Sequence, residues 1–198
     1  MATQVERSSA TREKVIAATI ACLVERGYPG VTIAAVAERA GVSRGAVTHQ
    51  YPDKARLVVE VVEEIGRRRT DEVLAMLEDI PVGPRRVEVG LDALWDKFHD
   101  PIYTAALEVY VAARTDPKLH PRVLQLEEDL DEAIRAVIRA MAGPVRSPKR
   151  LDVRADVLLN TMRGLALMHA TGAPTEPLDR AWTQARADAR DALLALAR

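Results

Sequence analysis

Residues Val31 to Lys54 read VTIAAVAERAGVSRGAVTHQYPDK, and the order of caps and breakers in this stretch sets the architecture. Thr32 is a good N-cap for a short helix over Ile33 to about Ala40, and Gly41, free to take left-handed backbone, stops it. A tight turn follows. Ser43 caps a second short helix starting at Arg44, which ends near Tyr51 because Pro52 drives the preceding residue out of helical geometry. Two short helices joined by a Gly-containing turn form a helix-turn-helix, which places the N-terminal residues of its second helix in a DNA major groove. Arg44 can donate two hydrogen bonds to a guanine edge, Thr48 carries a methyl that matches thymine, and Gly45 and Ala46 keep the helix slim. An αα-hairpin that merely packs has the same local signals, so the flanking sequence bears on the choice.

Upstream, TREKVIAATIACLVERGYPG, residues 11–30, repeats Val15, Ile16, Ile20 and Leu23 at three- and four-residue steps and ends as a helix at Gly27. Such a helix braces the pair that follows. Downstream, Asp53 caps a long helix and Lys54 stands in its first turn, where free amides and a cation together favour a phosphate.

From Thr11 to about Val59 the sequence resembles the N-terminal three-helix DNA-binding domain, and the start of the fourth helix, of the TetR family of bacterial transcriptional repressors. The resemblance implies an all-α chain of about nine helices: a helix-turn-helix domain over residues 1–53, then a ligand-binding and dimerisation bundle over 54–198. Arg44, Thr48 and His49 are expected to read or abut bases beside Gly45, and Thr32, Ser43, Tyr51 and Lys54 to hold phosphates. Family members usually carry an aromatic where this chain has Thr48 and a Phe where it has Tyr51. The backbone contact of an aromatic hydroxyl at 48 then passes to His49 or Tyr51.

Composition agrees. The chain has 198 residues, 48% of them hydrophobic and 4% aromatic, which suits an Ala/Leu/Val helical bundle. Its net charge of −1 is unevenly spread, with 11 basic against 8 acidic residues from Met1 to Arg69 and 17 against 21 beyond. The positive end is the helix-turn-helix end, and so small an excess implies a focused contact surface. Arg67, Arg68 and Arg69 lie about 20 Å along the fourth helix from Lys54, too far to share phosphates with Arg44, and read as a solvated or ion-pairing face. No apolar stretch is long enough to span a bilayer, and the start MATQVERSS lacks the apolar core of a signal peptide, so a cytoplasmic protein without a membrane partner is expected. The lone Cys22, within an apolar helix, reads as a buried thiol.

Breakers divide the remainder into helices: Lys54 to about Asp79, Arg85 to Phe98, Asp100-Pro101 to near Arg114, Thr115-Asp116-Pro117 to about Ala142, Ser147-Pro148 to about Ala170, and Leu178 almost to the end. In the last helix Ala181, Ala185, Ala189 and Ala192 sit beside Trp182, Leu193 and Leu196, and Gly164 opens the helix before it. Small residues at these steps let helices approach closely. One helix-turn-helix reads too few base pairs, and two on a twofold axis meet major-groove faces about 34 Å apart. A homodimer on a palindromic double-stranded operator is therefore expected. The resemblance likewise implies dimerisation through the last two helices, whereas internal packing of the alanines is the bland alternative.

The resemblance further implies a cavity among helices five to eight for a small-molecule effector whose binding moves the fourth helix and spreads the DNA-reading heads. Trp95, Phe98, Tyr103, Tyr110, Met162 and Met168 are candidate walls, and Asn160, His99 and His169 candidate polar contacts. Together they favour an apolar or aromatic ligand. Asp96, His99 and Asp100 have metal-ligand spacing, but Pro101 breaks the helix they need. No nucleophile motif, phosphate-cradling glycine loop or cysteine pair is present, so neither an enzyme nor a cofactor is expected. A helical ligand- or protein-binding module without specific DNA reading is the alternative function.

Overall fold

The computed structural model describes residues 4–197, and among them nine helices form in the order α1 (Gln4–Gly30), α2 (Ile33–Ala40), α3 (Arg44–Gln50), α4 (Lys54–Glu78), α5 (Pro84–Phe98), α6 (Pro101–Ala113), α7 (His120–Ala142), α8 (Pro148–Ala170) and α9 (Thr175–Leu194). The caps act as expected. Thr32 accepts from the Ala35 amide and Ser43 from the Ala46 amide, each at 3.1 Å, and Gly41 ends α2 in the left-handed region at φ 65°.

Three boundaries differ from the sequence reading. Helix α1 already runs from Gln4, and the kink at Gly27 is followed by one more helical turn, Tyr28 to Gly30. Helix α7 is regular only from His120. Asp116 does cap the turn before it, accepting from the amides of Lys118 at 2.8 Å and Leu119 at 3.1 Å, but Pro121 has no amide to carry that turn into the ladder. Helix α9 starts at Thr175, ahead of the expected Leu178, because Pro177 falls in a first turn whose amides have no intrahelical acceptors.

The described residues pack as two units. One comprises the chain up to Ile65 together with Pro101–Glu127, and the other Gly66–Asp100 with the residues from Glu128 onward. The expected division after residue 53 follows the DNA-reading elements, whereas packing groups the start of α4, α6 and the start of α7 with the first three helices. The reason is apolar periodicity. Leu57, Val58, Val61 and Val62 of α4, Val109 and Ala113 of α6 and Val123 and Leu126 of α7 are buried in this unit with Val15, Leu23, Val36 and Val47, and α6 packs on α1. In the second unit Leu77, Leu91, Leu94, Ile138, Met141, Leu151, Leu159 and Met162 are buried, and α9 packs on α5 and α8.

Candidate nucleic-acid interface

Helix α3 is held from behind and open in front. Val47 is 0% exposed and Tyr51 3%, whereas Arg44, Gly45, Thr48 and His49 are exposed. With seven residues, α3 cannot be stable alone and depends on that packed face. The Thr48 hydroxyl donates back to the Arg44 carbonyl at 3.1 Å, so its proton is spent within α3. Arg44, in the first turn, has an exposed guanidinium of the kind that matches a guanine edge. Thr32 and Ser43, both exposed, spend their hydroxyl oxygens as acceptors in the two caps. Tyr51 differs from expectation. Its side chain is packed in the unit's core, so it anchors the end of α3.

Helix α2 is fixed against α1 by an ion pair. Both arms of the Arg39 guanidinium donate to Glu25, at 2.6 and 2.5 Å, and this holds the Glu25 carboxyl below its ordinary range. The site's third element is the start of α4. Asp53 accepts from the Arg56 amide at 2.7 Å, and Arg122 of α7 forks onto the same carboxylate at 2.9 and 3.3 Å. That backbone hydrogen bond first, and then Arg122, hold the Asp53 carboxyl below its usual value. The Lys54 ammonium lies 3.9 Å from the centre of the Tyr28 ring and 3.5 Å from the Pro29 carbonyl, and burial lowers its pKa. Behind it, the Tyr28 amide donates to Glu108 of α6 at 3.0 Å. Sequence reasoning missed Glu108, Arg122 and Tyr28. Pairs separated by 80 and 69 residues leave no local signature.

The residues expected to contact an effector fall in two places. Tyr103 and Tyr110 are on α6 in the first unit, and the others belong to the second. There Trp95 stacks on Trp182 at 4.3 Å, meets the His99 ring edge-on at 4.2 Å, and His99 meets His169 edge-on at 4.9 Å. Trp95, Phe98 and Met162 are buried in the core, Met168 is 48% exposed, and exposed Asn160 donates to the Asp156 carbonyl of its own helix. Asp100 pairs with Arg69, and among the described residues no group of three or more His, Cys, Asp or Glu could hold a metal ion. Cys22 is buried, and no helix among the described residues is long and apolar enough to cross a membrane.

The alanine stripe of α9 divides by face. Trp182, and Leu196 just beyond the helix, enter the core, while Ala181, Ala185, Ala189 and Ala192 line an open groove of about 450 Å³, floored by Leu193, against Val157 and Leu158 of α8. Val153 and Val157 are 56% and 57% exposed, and a Cβ added at Gly164 would meet only open space.

Residues 15–61 match the sequence model of the bacterial regulatory proteins of the tetR family. The HTH-type transcriptional regulator CymR of Pseudomonas putida is 35% identical over 126 residues, 64% of this chain, which spans 62% of that relative's length. A TetR transcription regulator from Haloarcula marismortui superposes at a TM-score of 0.70 with 26% identity, covering 93% of this chain and 98% of that one. The Bacillus subtilis regulator FadR, solved with stearoyl-CoA, shares the fold at a TM-score of 0.66 and 10% identity over 92% of this chain and 97% of its own. With its capped and exposed α3 and the helix order of its described residues, the chain carries over residues 15–61 the sequence signature of the bacterial regulatory proteins of the tetR family and shares the helical fold of a regulator of that family.

Proposed function

We propose that the protein is a sequence-specific DNA-binding transcriptional regulator, a repressor that leaves a palindromic operator when a small apolar or aromatic effector binds. The observation that carries this reading is the polarity of α3, with Val47 and Tyr51 buried and Arg44, Gly45, Thr48 and His49 presented outward. In this reading Arg44, Thr48 and His49 meet bases, and Lys54 meets a phosphate with Thr32 and Ser43 beside the backbone. Residues 1–53 carry out the reading, and 54–198 bind the effector and dimerise.

A twofold dimer gives the two heads the spacing of about 34 Å that successive major-groove faces require. The uncovered small-residue groove between α8 and α9 supports a second copy seated there. For the effector, the buried and half-exposed side chains around Trp95, His99, Met168 and His169 supply apolar and aromatic surface, and the same fold holds stearoyl-CoA in the Bacillus subtilis relative. Coupling requires the effector to prefer the conformation that does not bind DNA, and a hundredfold preference is worth about 2.7 kcal/mol.

The test is to incubate the purified protein with sheared DNA from its own genome at two salt concentrations and to sequence what is retained. Recovery of a few partly palindromic sites that survive the higher salt is the expected result. Uniform recovery that vanishes with salt reflects phosphate attraction alone and overturns sequence-specific regulation in favour of a binding module.

A further inference from the structure

Lys54 does not hang free at the start of α4. Its ammonium rests on the Tyr28 ring, 3.9 Å from the centroid, and that ring is carried by the turn from Tyr28 to Gly30. The turn leaves the α1 ladder at Gly27, where φ 62° and ψ −178° turn the Tyr28 amide away from its own helix. A carboxylate from α6 takes it up, the Tyr28 amide donating to Glu108 at 3.0 Å. On the other side of Lys54 the adjacent Asp53, which caps α4, is gripped by both arms of Arg122 from α7. The shelf beneath Lys54 and the cap beside it are thus each held by one charged side chain from residues 101–127, outside the helix-turn-helix.

We propose that Glu108 and Arg122 are positioning residues for DNA binding: they touch no DNA, but fix the Tyr28 shelf and the Asp53 cap so that Lys54 and the first amides of α4 are prearranged for a phosphate. This rests on the DNA-binding reading above. The physical basis is preorganisation. A cation already confined over an aromatic face loses less conformational freedom when it meets a phosphate than one on a free lysine stem. Glu108 acts by charge-assisted acceptance of one backbone amide, a bond that a neutral amide oxygen can also accept. The Arg122 fork needs its bidentate geometry, which a lysine cannot reproduce.

The experiment measures affinity for a DNA fragment that the wild-type protein retains from its own genome, by fluorescence anisotropy across a salt series, with circular dichroism melts of each variant. Glu108→Ala is expected to weaken binding roughly fivefold and to flatten the salt slope by about one unit, through loss of one phosphate contact. Glu108→Gln, which keeps an acceptor for the Tyr28 amide, is expected to stay within about twofold of wild type. In a Lys54→Ala background, Glu108→Ala is expected to change affinity by less than about twofold, because the group it positions is gone. Arg122→Lys is expected to resemble Arg122→Ala.

No loss on Glu108→Ala, an equal loss in both backgrounds, or a Gln variant as weak as Ala overturns the proposal. If Glu108→Ala does not fold, Tyr28→Leu, which removes the ring and leaves the amide bond, carries the same cycle with Lys54→Ala and is read the same way. A wild-type protein that retains no specific fragment refutes the DNA-binding reading and this inference with it. Retention by wild type with unchanged Glu108 and Tyr28 variants refutes the inference alone.

Discussion

Replacing Gly27 with alanine tests how the first unit is closed. The backbone there, φ 62° with ψ −178°, is accessible essentially to glycine, and holding another residue in it costs about 1–3 kcal/mol. A second cost is steric. A Cβ at Gly27 would stand 1.9 Å from one carboxylate oxygen of Glu108, so that side chain must swing away. It is the far end of a flexible side chain, but the same oxygen accepts the Tyr28 amide, and losing a hydrogen bond to a charged group removes about 1.5–3 kcal/mol. Gly41 is the internal control, with a similar φ of 65° and nothing within 4 Å of an added Cβ, so Gly41→Ala carries only left-handed strain of roughly 1–2 kcal/mol.

The assay is thermal unfolding of both variants at one protein concentration, since the midpoint of any self-associating protein depends on it. At about 2–4 °C per kcal/mol for a chain of this size, a loss near 3 kcal/mol puts Gly27→Ala about 6–12 °C below wild type, and Gly41→Ala falls by less. In a Glu108→Ala background the carboxylate is absent, and the Gly27→Ala decrement should shrink to its backbone strain alone, about 1–3 kcal/mol. Equal decrements for Gly27→Ala and Gly41→Ala in the native background, or a Gly27→Ala decrement unaltered by removing Glu108, would refute the argument.

Three further outcomes are expected. Ser43→Ala removes the acceptor for the Ala46 amide and should cost about 0.5–2 kcal/mol in chemical denaturation while weakening DNA binding, because α3 is only seven residues long. Acid should loosen the cap of α4. The folded Asp53 carboxyl titrates below its unfolded value of about 3.9, so its stabilisation is complete above that pH and is lost as pH falls through the lower folded value. Arg122→Ala should reduce that pH dependence, measured as the difference in denaturation midpoint between pH 6 and about pH 3. Ala185→Asp places a carboxylate in the groove between α8 and α9 and should convert a dimer to monomer in sedimentation equilibrium, whereas an unchanged mass would place the interface elsewhere.

Much of the fold was legible because its signals are local. Thr32, Ser43 and Gly41 act within a few residues of themselves, and the buried positions of α5 and α7 recur at helical spacing, so caps and stripes place nine helices without tertiary information. The misplaced starts of α7 and α9 come from prolines, whose effect depends on whether the missing amide had an acceptor. For the candidate interface, the exposed face of α3 followed from its pattern, but the burial of Tyr51 did not, since a tyrosine before a proline can as well point out as in. Arg122 on Asp53 and Glu108 on the Tyr28 amide were invisible for a different reason. They join segments distant in the chain, and a surface arginine or glutamate on a helix reads the same whether it has such a partner or only water. The α9 stripe shows the same limit. Spacing identified the alanines, but only packing separated those in the groove from Trp182 and Leu196 in the core.

The central claim is that α3 reads sequence through Arg44 while Lys54 supplies affinity without preference. It is tested most directly by measuring wild type, Arg44→Ala and Lys54→Ala on a genome-derived site and on the same site scrambled, across a salt series. The account predicts that Arg44→Ala loses about 1–3 kcal/mol on the site and little on the scrambled sequence. Lys54→Ala should weaken both alike and flatten the salt slope by about one unit. Equal loss by Arg44→Ala on both sequences, or no loss on either, would contradict it.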